Sequence, residues 1–243
     1  MSRLLKSAVT KYLEKKGRRL IRIKNRDSGS GFIHHLHQQM SIELLLDVGA
    51  NSGQTGLEFR ENGFNGRIIS FEPQPSIFDL LRATAAADSS WDCRREGLGA
   101  TSGEMEMEIS GFSPSSSLLP IAEKHIEVWP NSAPIGSVRI PIRTLDEIMG
   151  EINAPKNRIS LKIDVQGYES SVLAGATKTL SCVDIALVEL LFAPLYKDQS
   201  KYYEVIGLLE ESGLQFAGFF NQAVDPKSET LLFADGLFIR PRL

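Results

Sequence analysis

Cysteine is almost absent from this chain: Cys93 and Cys182 stand far apart, with no C-x-x-C or histidine spacing around either. That excludes a disulfide framework and a zinc site, and makes a reducing cytoplasm the expected setting. Both cysteines read as small core residues. Long apolar runs are missing too. The longest, Val183 to Leu195, is interrupted by Glu189 and Pro194 and is too short to cross a bilayer. No secretory leader is visible. Excess positive charge is also lacking. A formal net charge of -3 does not suit a whole-protein surface for nucleic acid, which takes a strongly basic domain. What remains is ordinary: 243 residues, 42% hydrophobic and 23% charged, fit one large globular domain.

Charge is concentrated at the amino end, where the first 26 residues hold ten Lys or Arg against the single acid Glu14. Leu4, Leu5, Ala8, Val9, Tyr12 and Leu13 fall at helical spacing. Residues 2–16 are therefore expected to form an amphipathic helix, either packed on the main domain or touching an anionic membrane or partner. A hinge is expected at "RDSGSG", Arg26 to Gly31.

From Ile42 onward, strand-like runs alternate with helical patterns, the signature of a parallel sheet covered on both faces. Strands are predicted at 43–48, 67–72, 92–98, 158–164 and 183–190, and helices near 53–62, 76–87, 169–180 and 200–212. Two closing runs, "LQFAGFF" and "LLFADGLFIR", flank a turn-rich "DPKSE" and should pair as an antiparallel hairpin. Glu104, Glu106 and Glu108 alternate with Met105, Met107 and Ile109, which predicts a strand with one wet face.

The stretch "LLLDVGANSGQTGLEF" runs from a strand into a glycine-rich turn and a helix, an arrangement that brings backbone N–H groups to a ligand. A dinucleotide fingerprint needs glycine at the position held by Asn51, between Gly49 and Gly53. A side chain there crowds a pyrophosphate. Asp47 precedes the turn, and Glu72 ends the second strand, where an acid can accept both ribose hydroxyls. These residues suit a nucleoside with a positively charged tail, such as S-adenosylmethionine. Ser76 and Asp79 read as a cap for the next helix.

"LLLDVGANSGQTGLEFRENGFNGRIISFEPQPSIFDLL", "GLGATSGEMEMEIS", "SSSLLP", "LKIDVQGYESSVLAGATKTL" and "ADGLFIR" together resemble the FkbM family of S-adenosylmethionine-dependent methyltransferases, over about residues 34 to 240. The resemblance implies a Rossmann-like class I α/β fold, mostly parallel with an antiparallel C-terminal hairpin. The basic N-terminal stretch is expected as an extension over 1–33, ahead of a methyltransferase domain over 34–243. Cofactor contacts are implied for Asp47, Gly49, Ala50, Asn51 and Gly53, for Glu72 and Pro73, and for Gly97, Leu98 and Asp164. Family members mostly O-methylate hydroxyls of sugars, polysaccharides or secondary metabolites. A sugar or glycoconjugate acceptor is therefore expected, one version being the 2-hydroxyl of a fucosyl residue on a nodulation signal. The chain departs from the family at Gln166, where many members carry Glu in "DVEG", so no carboxylate role carries over to that position.

Ligands of open α/β sheets lie beyond the carboxyl ends of the strands, which places Asp164 at the methyl group as candidate base, hydroxyl-orienting group or metal ligand. His125 is the other candidate base, since an imidazole titrates near neutrality. It lies in residues 110–137, an aperiodic Ser/Pro/Gly-rich segment read as an acceptor lid. Ser115, Ser116, Ser117, Trp129, Tyr168 and Glu189 are candidate acceptor contacts. His34, His35 and His37 read as helix surface, and metal dependence stays open. Two other readings compete: an NAD-dependent oxidoreductase, disfavoured by Asn51 and the terminal hairpin, and a cofactor-binding partner subunit without catalysis.

Overall fold

The computed structural model describes residues 29–241. The predicted helix over residues 2–16, and with it the expected membrane contact, lies outside the described residues. Gly29 to Gly31 open helix α1 (Gly29–Gln39), so the expected boundary at residue 33 falls inside a helix whose Ile33 packs into the core.

Five parallel strands build the centre: β1 (Leu44–Val48), β2 (Arg67–Phe71), β3 (Trp91–Arg94), β7 (Ile159–Ile163) and β8 (Val183–Leu191). β10 (Leu231–Ile239) adds antiparallel to β8, and β9 (Gln215–Val224) pairs antiparallel with β10. The order is β3-β2-β1-β7-β8-β10-β9, so the expected parallel sheet with its terminal hairpin is present. β1 and β8 are buried at every residue, which is why, apart from Asp47, Asp184 and Glu189, they read as apolar runs with no alternation.

Helices α1, α2 (Gln54–Glu61) and α3 (Pro75–Ala85) cover one face through Ile33, Phe59, Leu81 and Ala85. The other face is covered by α5 (Leu145–Glu151), α6 (Glu169–Ala174), α7 (Thr177–Leu180) and α8 (Tyr202–Glu211), whose Leu145, Val172, Leu180 and Leu209 meet the sheet. The strand order reverses between β1 and β7, and the crevice at such a switch point is where a ligand is held.

Several expectations need correction. The predicted strand 92–98 is two strands: β3 stays in the main sheet, whereas β4 (Gly97–Leu98) leaves it to pair with β6 (Pro134–Arg143). β6 also pairs antiparallel with β5 (Gly103–Ser110), the strand predicted from its alternating glutamates, to make a second, three-stranded sheet. The sequence did not predict β6, because Gly136 and Pro141 interrupt a largely exposed run. Helix 169–180 divides at Gly175, whose Cα approaches the Gly99 carbonyl so closely that a Cβ would lie 2.0 Å from its oxygen. Ser76 and Asp79 do not cap α3. It starts at Pro75, whose fixed φ suits the first helical turn, with Gln74 before it.

His34 and His37 are buried, not on the helix surface, and both rings pack edge-on against Phe59. Burial lowers the pKa of His37 to about 4, so this ring stays neutral and accounts for an apolar contact. Cys93 and Cys182 are unpaired, partly buried and packed against the two core clusters. Among the described residues, no helix is long and apolar enough to cross a membrane.

Candidate active site

The turn after β1 is pinned to both neighbouring strands. Gly49 and Ala50 donate their N–H groups to the Phe71 carbonyl at 3.1 and 3.0 Å, and the Asp164 N–H donates to the Val48 carbonyl at 3.0 Å. Gly49 has φ +79°, and a Cβ on it would fall 1.9 Å from the Asp164 carbonyl oxygen. Only glycine lets the ends of β1 and β7 meet here. Asn51 follows at φ +47°, a left-handed conformation that asparagine tolerates. It points its N–H at Glu72 Oε2, 3.0 Å away.

Glu72 Oε1 accepts the Gln74 N–H at 2.8 Å, so the carboxylate stands fixed at the end of β2. Burial pushes its pKa up to about 7, against the pull of these two N–H groups and with Asp47 adding to the rise. Glu72 forms one wall of a cleft with about 680 Å³ of empty space, along with Gly49, Asn51, Pro73, Gly97 and Asp164. Phe71, Leu98 and Met107 supply its apolar sides. S-adenosylmethionine, the cofactor implied by the resemblance, fits this donor set. Glu72 would accept the ribose hydroxyls, the apolar sides would hold adenine, and the carboxylate of Asp164 matches an ammonium.

A second cavity, with about 840 Å³ of empty space, opens on the other side of Asp164 and Gln166, which line both. Its walls are aromatic and acidic: Phe112, Trp129 and Phe233 face Asp164, Glu189 and Asp235. The three carboxyls come together because their strands are neighbours. Glu189 and Asp235 are paired residues of β8 and β10, and Asp164 follows the last residue of β7.

One cation is buried beside this row. Lys162 Nζ donates to Asp164 Oδ2 at 3.1 Å. Burial opposes its charge, but Asp164, Asp47 and Asp235 outweigh it, and its pKa lies above the ordinary lysine value. Glu189 goes the other way: burial, then the charges of Asp164, Glu169 and Asp235, raise its pKa well above the carboxylate range. Its neutral, proton-holding form is thus favoured.

His125 lies in the lid helix α4 (Glu123–Val128), 2% exposed, its ring 5.0 Å from those of Trp129 and Tyr196. Nε2 is 3.1 Å from Ser115 Oγ, and burial lowers its pKa, so the imidazole is neutral. The predicted lid is not the structureless loop expected from its aperiodic sequence. Besides α4 it holds two short 3-10 turns, and β6 begins inside it at Pro134. Lys124 Nζ bonds Asp225 Oδ2 at 2.7 Å, and Ser117 Oγ donates to the Gln166 carbonyl at 2.8 Å.

Four predicted site residues are not brought to either cavity. Asp47 points into the sheet, fully buried, where Ser70 Oγ donates to its Oδ2 at 3.1 Å. Burial is the main cause of its raised pKa. Ala50 is packed in the core beneath the turn, and Gly53 faces Leu81, Thr84 and Trp91. Tyr168 turns its hydroxyl to Met105 Sδ at 3.4 Å. Ser116 and Ser117 line the first cleft and not the second cavity, because the segment predicted as a lid reaches the cleft at that point. Sequence reasoning missed Phe112, Phe233 and Asp235 as cavity walls. The "FADG" of β10 offered the one available signal, an acid inside an apolar strand. Among the described residues, no three His, Cys, Asp or Glu side chains are grouped to hold a metal.

Comparison with known proteins agrees with this geometry. The chain is 28% identical over 167 residues to hexuronic acid methyltransferase AglP of Haloferax volcanii, covering 68% of this chain and 63% of that one. It is 25% identical over 158 residues to Methyltransferase 1 of Beauveria bassiana, covering 60% of this chain and 64% of that one. The chain thus spans less than two thirds of either relative. Among solved structures, an O-methyltransferase from Bacillus cereus superposes with a TM-score of 0.49 at 10% identity, covering 96% of this chain and 90% of that one. Residues 47–216, which hold the glycine turn, Glu72, the lid and Asp164, match the Methyltransferase FkbM domain. With that match over more than half its length, and with a mostly parallel seven-stranded sheet closed by antiparallel strands, the chain belongs to the FkbM methyltransferase family.

Proposed function

We propose that this methyltransferase uses S-adenosylmethionine to methylate a hydroxyl oxygen of a sugar or glycoconjugate. The observation that carries the reading is the junction at Asp164 and Gln166, where the cofactor cleft meets an aromatic and acidic cavity. Hydroxyl-rich rings bind such walls well: aromatic faces cover the C–H surface, and carboxylates accept the hydroxyls. AglP, named as a hexuronic acid methyltransferase, supports a sugar as acceptor. These walls select ring hydroxyls in general, so the reading stops at a sugar and does not extend to a fucosyl residue of a nodulation signal.

The bound cofactor supplies an electrophilic methyl carbon attached to a positively charged sulfur. The chain's own residues do the rest. Asp164 accepts hydrogen bonds on both oxygens, from Gln166 Nε2 and Lys162 Nζ, and each oxygen keeps a lone pair for the acceptor hydroxyl. It orients the hydroxyl and takes its proton as the oxygen is methylated. Neutral His125 lines the same cavity and is a second group able to take a proton. Transfer of labelled methyl from the cofactor to a glycan panel, with mass spectrometry locating the mark, tests the proposal. Cofactor binding without transfer to any glycan would instead favour a non-catalytic partner subunit.

A further inference from the structure

The charge of the acceptor cavity narrows its substrate. Asp164, Glu189 and Asp235 line it, and no Lys or Arg is present among its described lining residues. Lys162 stands behind Asp164 and is already engaged by that carboxylate. His125 is uncharged and in contact with Ser115. Asn221 Nδ2, on the edge strand, donates to Asp235 Oδ2 at 2.7 Å and is neutral. A carboxylate brought in here would lose its water, meet the like charges of Asp164 and Asp235 beside a proton-holding Glu189, and find no free cation.

We propose that the acceptor ring carries no carboxylate: the cavity takes a neutral or amino sugar and rejects a uronic acid. This rests on the sugar-methylating reading above and sets this chain apart from the relative named for hexuronic acid. Ring hydroxyls, or a ring ammonium, donate to Asp164 and Asp235, which have acceptor capacity to spare. The aromatic side chains Phe112, Trp129 and Phe233 take the apolar face of the ring.

The test uses the full chain, labelled S-adenosylmethionine and, in each of the gluco, galacto and manno series, three matched aryl glycosides: the neutral sugar, its 2-amino form and its uronic acid. The uronide is expected to show kcat/KM about 100-fold or more below the neutral glycoside, the scale of discrimination that unpaired like charges produce. Asp235→Asn keeps size and removes a charge, and should raise the uronide-to-neutral ratio about tenfold. Because the ratio is taken within one preparation, a misfolded fraction cancels. A uronide used as well as the neutral sugar, or a ratio unmoved by Asp235→Asn, overturns the inference while leaving sugar methylation standing. Cofactor binding with none of the glycosides methylated overturns the sugar reading itself, and the charge inference falls with it.

Discussion

Asp164 and Glu189 share a single amide: Gln166 Nε2 donates to Asp164 Oδ1 at 2.7 Å and to Glu189 Oε2 at 2.8 Å. Gln166 Oε1 in turn accepts from the Tyr196 hydroxyl at 2.6 Å, and the residue is held at φ +59°. Two neighbouring carboxyls need a donor between them, which is a reason for an amide where relatives of the resemblance carry an acid. Gln166→Glu should lower kcat about tenfold or more at pH 8, because a third carboxylate replaces a buried donor. The defect should shrink toward pH 6, where a protonated Glu can donate again. A pH-rate profile parallel to that of the unaltered enzyme would remove Gln166 from this role.

The base is assigned by contrast. Asp164→Asn keeps shape and loses charge, so at saturating cofactor it should reduce kcat by about 100-fold, the scale of a lost general base, separate from the weaker cofactor binding that loss of the ammonium's partner brings. His125→Ala should raise KM with little change in kcat, as expected when a group only shapes the acceptor cavity. Steady-state kinetics on both variants decide it. Normal turnover by Asp164→Asn beside an inactive His125→Ala would transfer the role to the histidine.

Glu72 makes cofactor binding depend on pH. Its carboxyl, pushed up to about 7 by burial, is charged above that pH and neutral below it. Calorimetry should therefore show the dissociation constant of S-adenosylmethionine rising as pH falls from 8 to 6. In the ligand-free protein the sign is opposite. A raised carboxyl carries no charge-burial cost below the ordinary value of 4.5, and stability is lost as pH rises from there through about 7. Glu72→Gln should flatten both slopes and weaken binding at pH 8 by roughly 10- to 150-fold, the equivalent of about 1.5–3 kcal/mol in charge-assisted hydrogen bonds.

Gly49→Ala places a Cβ 1.9 Å from the Asp164 carbonyl at a positive φ. The ends of β1 and β7 must then separate. Thermal unfolding should show a loss on the order of 2–4 kcal/mol, from overpacking and backbone strain together. Cofactor affinity should fall with it. An unchanged melting temperature would mean that the turn does not need this close approach.

The sequence alone determined what depends on near neighbours. Apolar runs in the order strand, glycine turn, helix, strand and acid specify a parallel sheet with Glu72 at the end of β2, because hydrophobic period and turn chemistry act over a few residues. It also marked Asp164 through its place after β7. Asp47 shows where that legibility ends. It follows Leu46 in a strand and shares the parity of Leu45, so side-chain alternation turns it to the face covered by α1–α3 and not toward the cleft. Only the tertiary structure decided the second cavity, proposed here for the acceptor. Phe112, Gln166, Glu189 and Asp235 are scattered across more than half the chain, and strand order and lid folding bring them to one wall. No local pattern encodes such a meeting. It follows from β8 pairing with both β7 and β10, a choice made by the burial of whole strands and not by the residues that end up sharing the site.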